Sequence, residues 1–332
     1  NQVGVDVVSD AINRTVAEHN RQMQALTSLF VVNTTKYKTI YRTPVKARLQ
    51  PADEASRALP IKGAEKYDVG LPLQQADIAW GNDFVTGVKM SVQEANDTTE
   101  ILIDADRAWM RDHILAALFA SAGYQFEDEE HGTLNVNSLA NNDTQGFFVG
   151  GSWSQQTDNH LLAQAAAISD VANPYPIIHD ELREHPENAS SEIVVMIAKD
   201  QVANTRALAG FYKAQDPNLQ AGSGITQLVG TLNVATPGEV IGYVDGCWIV
   251  QWDNLPSGYL VAIATNAPKT LAMREDPEPE LQGFRFADNR NDYPWYERQY
   301  MRRAGFGVWN RVGAVVYRIG NASYAVPAGY SL

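Results

Sequence analysis

The sequence predicts an α+β fold, and three observations carry that prediction. The first is the apolar run from Val312 to Ile319, broken only by Arg318, which lacks in/out alternation and so reads as a strand buried on both faces. The second is ILAALFASA, residues 114–122, apolar all round and therefore a buried helix. The third is a pair of strand-like stretches, 37–49 and 78–92, separated by a long polar segment broken by Pro51, Pro60 and Pro72. A connection that long is uncommon in a compact domain unless it has a task, so a projecting hairpin is expected.

Composition narrows the class. A chain of 332 residues is long for one hydrophobic core, and about two domains are expected. With 45% hydrophobic and 20% charged residues it has an ordinary globular composition. The net charge of -13 argues against a broad basic surface that grips nucleic acid. Cys247 is the single cysteine, which excludes an intrachain disulfide framework and a cysteine metal cluster. No apolar stretch approaches the roughly 20 residues of a membrane helix, and NQVGVDVVSD lacks the basic and apolar regions of an export signal.

The elements follow in order. Val5, Val8, Ile12, Val16, His19, Met23, Leu26 and Phe30 recur at steps of three and four, predicting an N-terminal helix with one narrow stripe. Asp104 is the expected N-cap of the buried helix, with Gly123 as its stop. The segment from Phe126 to Gly151 reads as loop and hairpin, and Asp158 is expected to open a second helix over Leu161, Leu162, Ala165 and Ile168 that ends before Pro174. Ile193 to Ala198 is a short buried strand, followed by a helix from Gln201 to Tyr212 capped by Asp200. Lys213 to Gly224 has loop chemistry. Strands are expected at 240–244, 248–252 and 259–264, divided by turns at Asp245-Gly246 and Pro256-Ser257-Gly258.

Motifs of catalysis are weak. GGSWS at Gly150 to Ser154 has Ser154 where a nucleophile elbow needs its second glycine. A hydrolase using Ser152 would require His160 or His179 with Asp170 or Asp180, and a polar loop is the better reading. The six histidines show no metal-ligand spacing, and His19 reads as a packed or interfacial imidazole rather than a ligand. The run Glu127 to Glu130 lacks the spaced ligands of a calcium loop. No dinucleotide fingerprint or P-loop occurs. Trp248, Trp252 and Trp295 are candidates for a sugar-binding platform, with core packing favoured. Arg285, Arg290, Arg298, Arg302, Arg303, Arg311 and Arg318 gather near the end, and a chain rich in carboxylates suggests Arg-to-acid pairing between copies or ordinary surface charge.

The order of parts, with RRAGFGVWNRVGAVVYRI before YAVP, IGYVDGCWIVQWDNLPSG, NAPKTLAMRED and EIVVMIAKDQVANTRALAGF, resembles the major capsid proteins of tailed bacteriophages, the Hong Kong 97-like fold. The resemblance implies an N-terminal arm (1–38), an extended hairpin loop (39–92), a peripheral domain with a spine helix (93–190 plus 300–332) and an axial domain (191–299). It implies self-assembly into pentamers and hexamers of an icosahedral virion shell, built in the bacterial cytoplasm around double-stranded DNA that is held without sequence preference. Scaffold, decoration and portal proteins are implied as further partners, and no membrane, catalytic residue, cofactor or metal. One branch of the family crosslinks a loop lysine to Asn, for which Lys62 and Lys66 are the candidates. Met23, Phe30, Lys62, Lys66, Arg302, Arg303 and Arg311 are the expected contacts between subunits. An encapsulin shell around a protein cargo resembles the same fold and is the alternative within this class.

Overall fold

Strands that are apolar without alternation need cover on both faces, and they form the centre of this molecule. A computed structural model describes residues 15–16, 19–20, 27–42, 66–83, 92–150, 154–213, 238–290 and 295–331. Its first strands are β1 (Val31–Thr34), β2 (Lys38–Arg42), β3 (Lys66–Gly70) and β4 (Gln74–Asp83), followed by the long helix α1 (Val92–Phe119). Next come β5 (Tyr124–Asp128), β6 (Gly132–Val136), β7 (Phe147–Phe148), β8 (Gln155–Gln156) and β9 (Leu161–Gln164), then α2 (Tyr175–Arg183). The remainder comprises β10 (Ile193–Ile197), α3 (Val202–Arg206), β11 (Tyr212–Lys213), β12 (Glu239–Val244), β13 (Cys247–Gln251), β14 (Tyr259–Ala264), β15 (Leu271–Glu275), β16 (Phe284–Arg290), β17 (Trp295–Val308) and β18 (Ala314–Ile319).

Seven strands form the central sheet in the order β11-β12-β13-β10-β14-β18-β9. β18 lies between β14, antiparallel with Val316 opposite Val261, and β9, parallel with Val316 opposite Leu161. Successive side chains of these strands point to opposite faces, and both faces are apolar. Val194, Met196, Val250, Val261, Ile263, Ala314 and Val316 pack with Ile114, Leu115, Leu118 and Phe119 of α1. Ile193, Val195, Ile197, Ile249, Leu260, Ala262, Val315 and Tyr317 pack with Tyr175, Ile178 and Leu182 of α2. The apolar run near the C-terminus, broken only by Arg318, is thus the sequence signature of a sheet covered on each side by a helix.

A second sheet contains β1, β4, β15, β16 and β17. The 14-residue β17 is its organiser, pairing antiparallel with β4, β15 and β16. Two glycines in β17 answer a steric demand. A Cβ on Gly305 would lie 2.2 Å from the Pro72 carbonyl oxygen, and one on Gly307 would lie 2.8 Å from Leu71 Cδ2. The chain between β3 and β4 therefore crosses β17 at backbone contact, which only glycine permits.

Several expectations are corrected. β2 pairs with β3, Lys38 opposite Gly70, whereas β4 joins β17, so the strands near 37–49 and 78–92 are not partners. Residues 43–65 and 84–91 lie outside the described residues. Helix α1 begins 12 residues before Asp104, whose carboxylate instead meets Arg107 Nη1 at 3.1 Å. Its buried stripe there is Thr99, Leu102, Ile103, Asp106 and Met110, and the two polar members hide the helical period from a count of apolar residues. The helix expected from Asp158 is strand β9, which occupies the edge of β18; helix α2 instead follows Asn173-Pro174, with proline in its first turn. The helix expected from Gln201 to Tyr212 shortens to a 3₁₀ turn and α3, while Asp200 accepts hydrogen bonds from the Gly258 amide at 3.0 Å and the Ser257 hydroxyl at 2.8 Å. Boundaries at 190/191 and 299/300 cut across the strand order: β18 belongs with β10, β13 and β14, and β17 with β4.

Leu118 is fully buried between α1 and the central sheet. Leu118→Ala should lower the unfolding free energy by about 2–5 kcal/mol, read as a lower urea midpoint with an unchanged slope. Gly305→Val should be worse, because its obstacle is backbone and cannot rotate away.

Candidate functional site

Two of the charged residues that the sequence offers as contacts between copies, Arg302 and Arg311, are held inside the chain. Asp106, in the buried stripe of α1, forms a two-pronged pair with Arg302 of β17: Nε reaches Oδ1, and Nη2 reaches Oδ2 at 2.6 Å. His19 Nε2 meets the same Oδ2 at 2.6 Å, and Asn20 Oδ1 accepts from both Arg302 Nη2 and the Phe284 amide. The side chains of Arg302 and Asp106 are only 4% and 2% exposed. Burial raises the Asp106 pKa, but the hydrogen bonds from His19 and Arg302 and the Arg302 charge outweigh it and hold the carboxyl below its ordinary value. His19 is thus a packed imidazole, one of its two expected roles, with a specific partner.

Arg311 is also internal. It follows β17 and donates from Nε to the Ser138 carbonyl at 2.7 Å and from Nη2 to the Leu139 carbonyl at 3.1 Å and Asp143 Oδ2 at 2.6 Å. Arg274 of β15 pairs with Asp128 at 2.5 Å, so one carboxylate of the acidic run 127–130 is a buried counter-ion. Arg303 retains partial exposure and meets Asp276 at 3.3 Å and Glu129 at 3.7 Å. Phe30 is buried in the main core beside Trp252. Lys66 is exposed at the start of β3, opposite Arg42. Met23 and Lys62 lie outside the described residues. The expected contact role for Phe30, Arg302 and Arg311 therefore yields to an intrachain one, because a buried charge needs a near, hydrogen-bonded partner and each arginine finds one within the fold.

Trp248 and Trp252 are buried in the main core, which removes them from a sugar platform. Of the hydrolase candidates, Ser152 lies outside the described residues. His179 is paired with Asp180 at 3.1 Å, and Asp170 accepts from the Ala209 amide. His160 is fully buried and bonded to neither of the expected aspartates; its partners are Asp158 at 2.8 Å and His185 at 3.0 Å. Nothing in the linear sequence joins 158 and 160 to 185. The fold does so by laying β9 against β18 while α2 ends beside it. Among the described residues no helix is long and apolar enough to cross a membrane.

No family model matches the chain, and no curated protein matches it in sequence. Its structure is similar to a solved chain from Mycobacterium phage Patience, with TM-score 0.74 at 20% identity over 97% of this chain and 90% of that one. The chain has the tailed-phage major capsid fold. It is also similar to the capsid of Ralstonia phage GP4, with TM-score 0.55 at 14% identity over 91% of each chain. The capsid of a native GTA particle gives TM-score 0.51 at 11% identity, again over 91% of each chain. The capsid fold matches the α+β, Hong Kong 97-like architecture that the closing residues suggested.

Within the capsid fold, Asp106 makes a prediction about acid. A carboxyl depressed in the folded chain contributes stability above its unfolded pKa of about 4 and loses it as pH falls through the folded value. Arg302→Met should cost about 3–5 kcal/mol near pH 7, because it leaves the carboxylate poorly compensated. Urea titrations of both proteins should show the gap between them narrowing at pH 3.

Proposed function

We propose that this chain is a major capsid protein that assembles with copies of itself, as pentamers and hexamers, into the icosahedral shell of a tailed phage. The observation that carries this reading is the agreement in fold along 97% of the chain with the phage Patience structure. The role is structural and not enzymatic, and the location is the virion, assembled in the host cytoplasm. Double-stranded DNA lies against the inner face without sequence readout, consistent with a net charge of -13. Scaffold, decoration and portal proteins complete the set of partners. The peripheral unit corresponds to α1 with the β17 sheet, and the axial unit to the seven-stranded sheet with α2.

Surface chemistry supports assembly. Ile40 on β2, Ile101 on α1, Ile177 on α2 and Phe286 on β16 are large apolar side chains exposed in the single chain, Ile101 to 66%. Burial of one such side chain between copies contributes about 1.5–3 kcal/mol. Because a shell repeats each contact many times, small increments per contact suffice. Lys62, Lys66, Met23 and Arg303 remain candidates for these contacts.

The purified full chain, alone or expressed with the other shell components of its phage, should form closed particles visible by negative-stain microscopy. Persistent monomers under both conditions would overturn the reading, and particles filled with a protein cargo and no DNA would transfer it to an encapsulin. Ile101→Asp should reduce particle yield severely while leaving the unfolding midpoint of the soluble subunit nearly unchanged, since surface substitutions are usually within about 0.5 kcal/mol.

A further inference from the structure

Asp158, His160 and His185 form a cluster that the capsid reading does not use. All three are buried, and their converging atoms make a tight triangle. Asp158 Oδ2 is 2.8 Å from His160 Nε2 and 2.7 Å from His185 Nε2, and the two imidazole nitrogens are 3.0 Å apart. The other nitrogen of each ring is already committed. His160 Nδ1 lies 2.7 Å from the Ala314 carbonyl oxygen and His185 Nδ1 lies 3.1 Å from the Phe148 carbonyl oxygen. A carbonyl only accepts, so both Nδ1 atoms carry the hydrogen, and when the rings are neutral both Nε2 atoms present lone pairs.

Three lone-pair donors therefore converge on one point inside the protein. In a dry interior that arrangement is repulsive unless a positive centre, a shared proton or a metal ion, sits between the donors. Rings fixed through Nδ1 by backbone carbonyls, with Nε2 directed at a shared centre, are the arrangement by which proteins orient histidine ligands to a metal. Helix α2 brings two more carboxylates to the same place. Ligand oxygens of Glu181 and Glu184 lie within 4.8 Å of that of Asp158 and of each other, and Glu184 Oε1 is 3.9 Å from His185 Nε2.

We infer that Asp158, His160 and His185, with Glu181 or Glu184 as the fourth ligand, bind one zinc-type divalent transition-metal ion. Two imidazoles and carboxylate oxygen form a donor set of intermediate softness suited to zinc, whereas magnesium or calcium would call for oxygen alone. Asp158 and the one coordinating glutamate balance the ion's double charge, so the four-ligand set is neutral in its buried setting. Tetrahedral coordination at about 2.0–2.1 Å places donors about 3.3 Å apart. The triangle must widen by a few tenths of an ångström, a movement that rotation of the Asp158 carboxylate and of the rings accommodates. Partial exposure of Glu184, 30% for its side chain, gives the ion a route in from solvent. The sites of attachment are the loop that leads into β9, the segment just after α2 and, through the two carbonyls, β7 and β18. The ion would thus fasten the sheet edge to the helix that covers it. This site stands or falls independently of shell assembly.

The test uses the full chain stripped with a chelator and desalted. Added zinc should be retained at one ion per chain by elemental analysis and should raise the melting temperature by several degrees. Cobalt should give the intense visible bands of a tetrahedral site, and zinc should abolish them. Asp158→Asn and His185→Gln should lose both effects, while His131→Gln, at an exposed histidine, should keep them. No retained zinc and no cobalt bands in the unsubstituted chain would overturn the inference and leave a proton-sharing cluster. Equal retention by the Asp158→Asn and His185→Gln proteins would also overturn it. Should those two variants fail to fold, the cobalt spectrum of the unsubstituted chain decides alone.

Discussion

The ionised carboxylate of Asp106 sits where water cannot reach it, and that constraint organises much of the molecule. An isolated buried charge costs several kcal/mol, so the fold must deliver positive and hydrogen-bonding groups to it from elsewhere. Arg302 arrives from β17, His19 from the N-terminal segment, and Asn20 bridges that segment to the start of β16. Three stretches remote in sequence are thereby fixed to one turn of α1. The remainder of the helix then presents Ile114, Leu115, Leu118 and Phe119 to the central sheet, so a polar anchor and an apolar face together set its orientation.

The same logic explains why charge counting along the sequence misassigned two arginines. Arg302 and Arg311 look like contact or surface charges because their partners, Asp106 and Asp143, are 196 and 168 residues away, and Arg274 likewise finds Asp128 across 146 residues. Long-range pairing of this kind leaves no local mark. In the folded chain these guanidinium groups join the β17 region to α1, the β6–β7 connection and the β5–β6 turn. Of the charged contact candidates among the described residues, Lys66 is exposed and Arg303 partly so.

Legibility followed packing symmetry. Strands buried on both faces, 193–197, 247–251, 259–264 and 314–319, were visible because every position but Gln251 and Arg318 is apolar and turns flank them. The tight turn at Asp245-Gly246, where both residues have positive φ, was equally plain. Elements whose identity depends on a distant partner were not. Leu161–Gln164 is a strand because β18 offers it an edge, and four residues are too few to show a period. The first half of α1 hid its buried stripe behind Thr99 and Asp106. The histidine cluster was invisible because its members derive from a loop before one strand and the end of one helix, joined only by the sheet between them.

The ends of the seven-stranded sheet have a further consequence. Its terminal strands, β11 and β9, are two and four residues long. Another copy adding to either edge in register would gain few backbone hydrogen bonds, which disfavours open-ended ribbons formed by strand addition. Association is then left to side-chain surfaces, whose individual contacts are weak enough to break and re-form. In the proposed shell a misplaced subunit would depart before its neighbours trap it, and closure of the lattice would be the state in which the contacts are jointly satisfied.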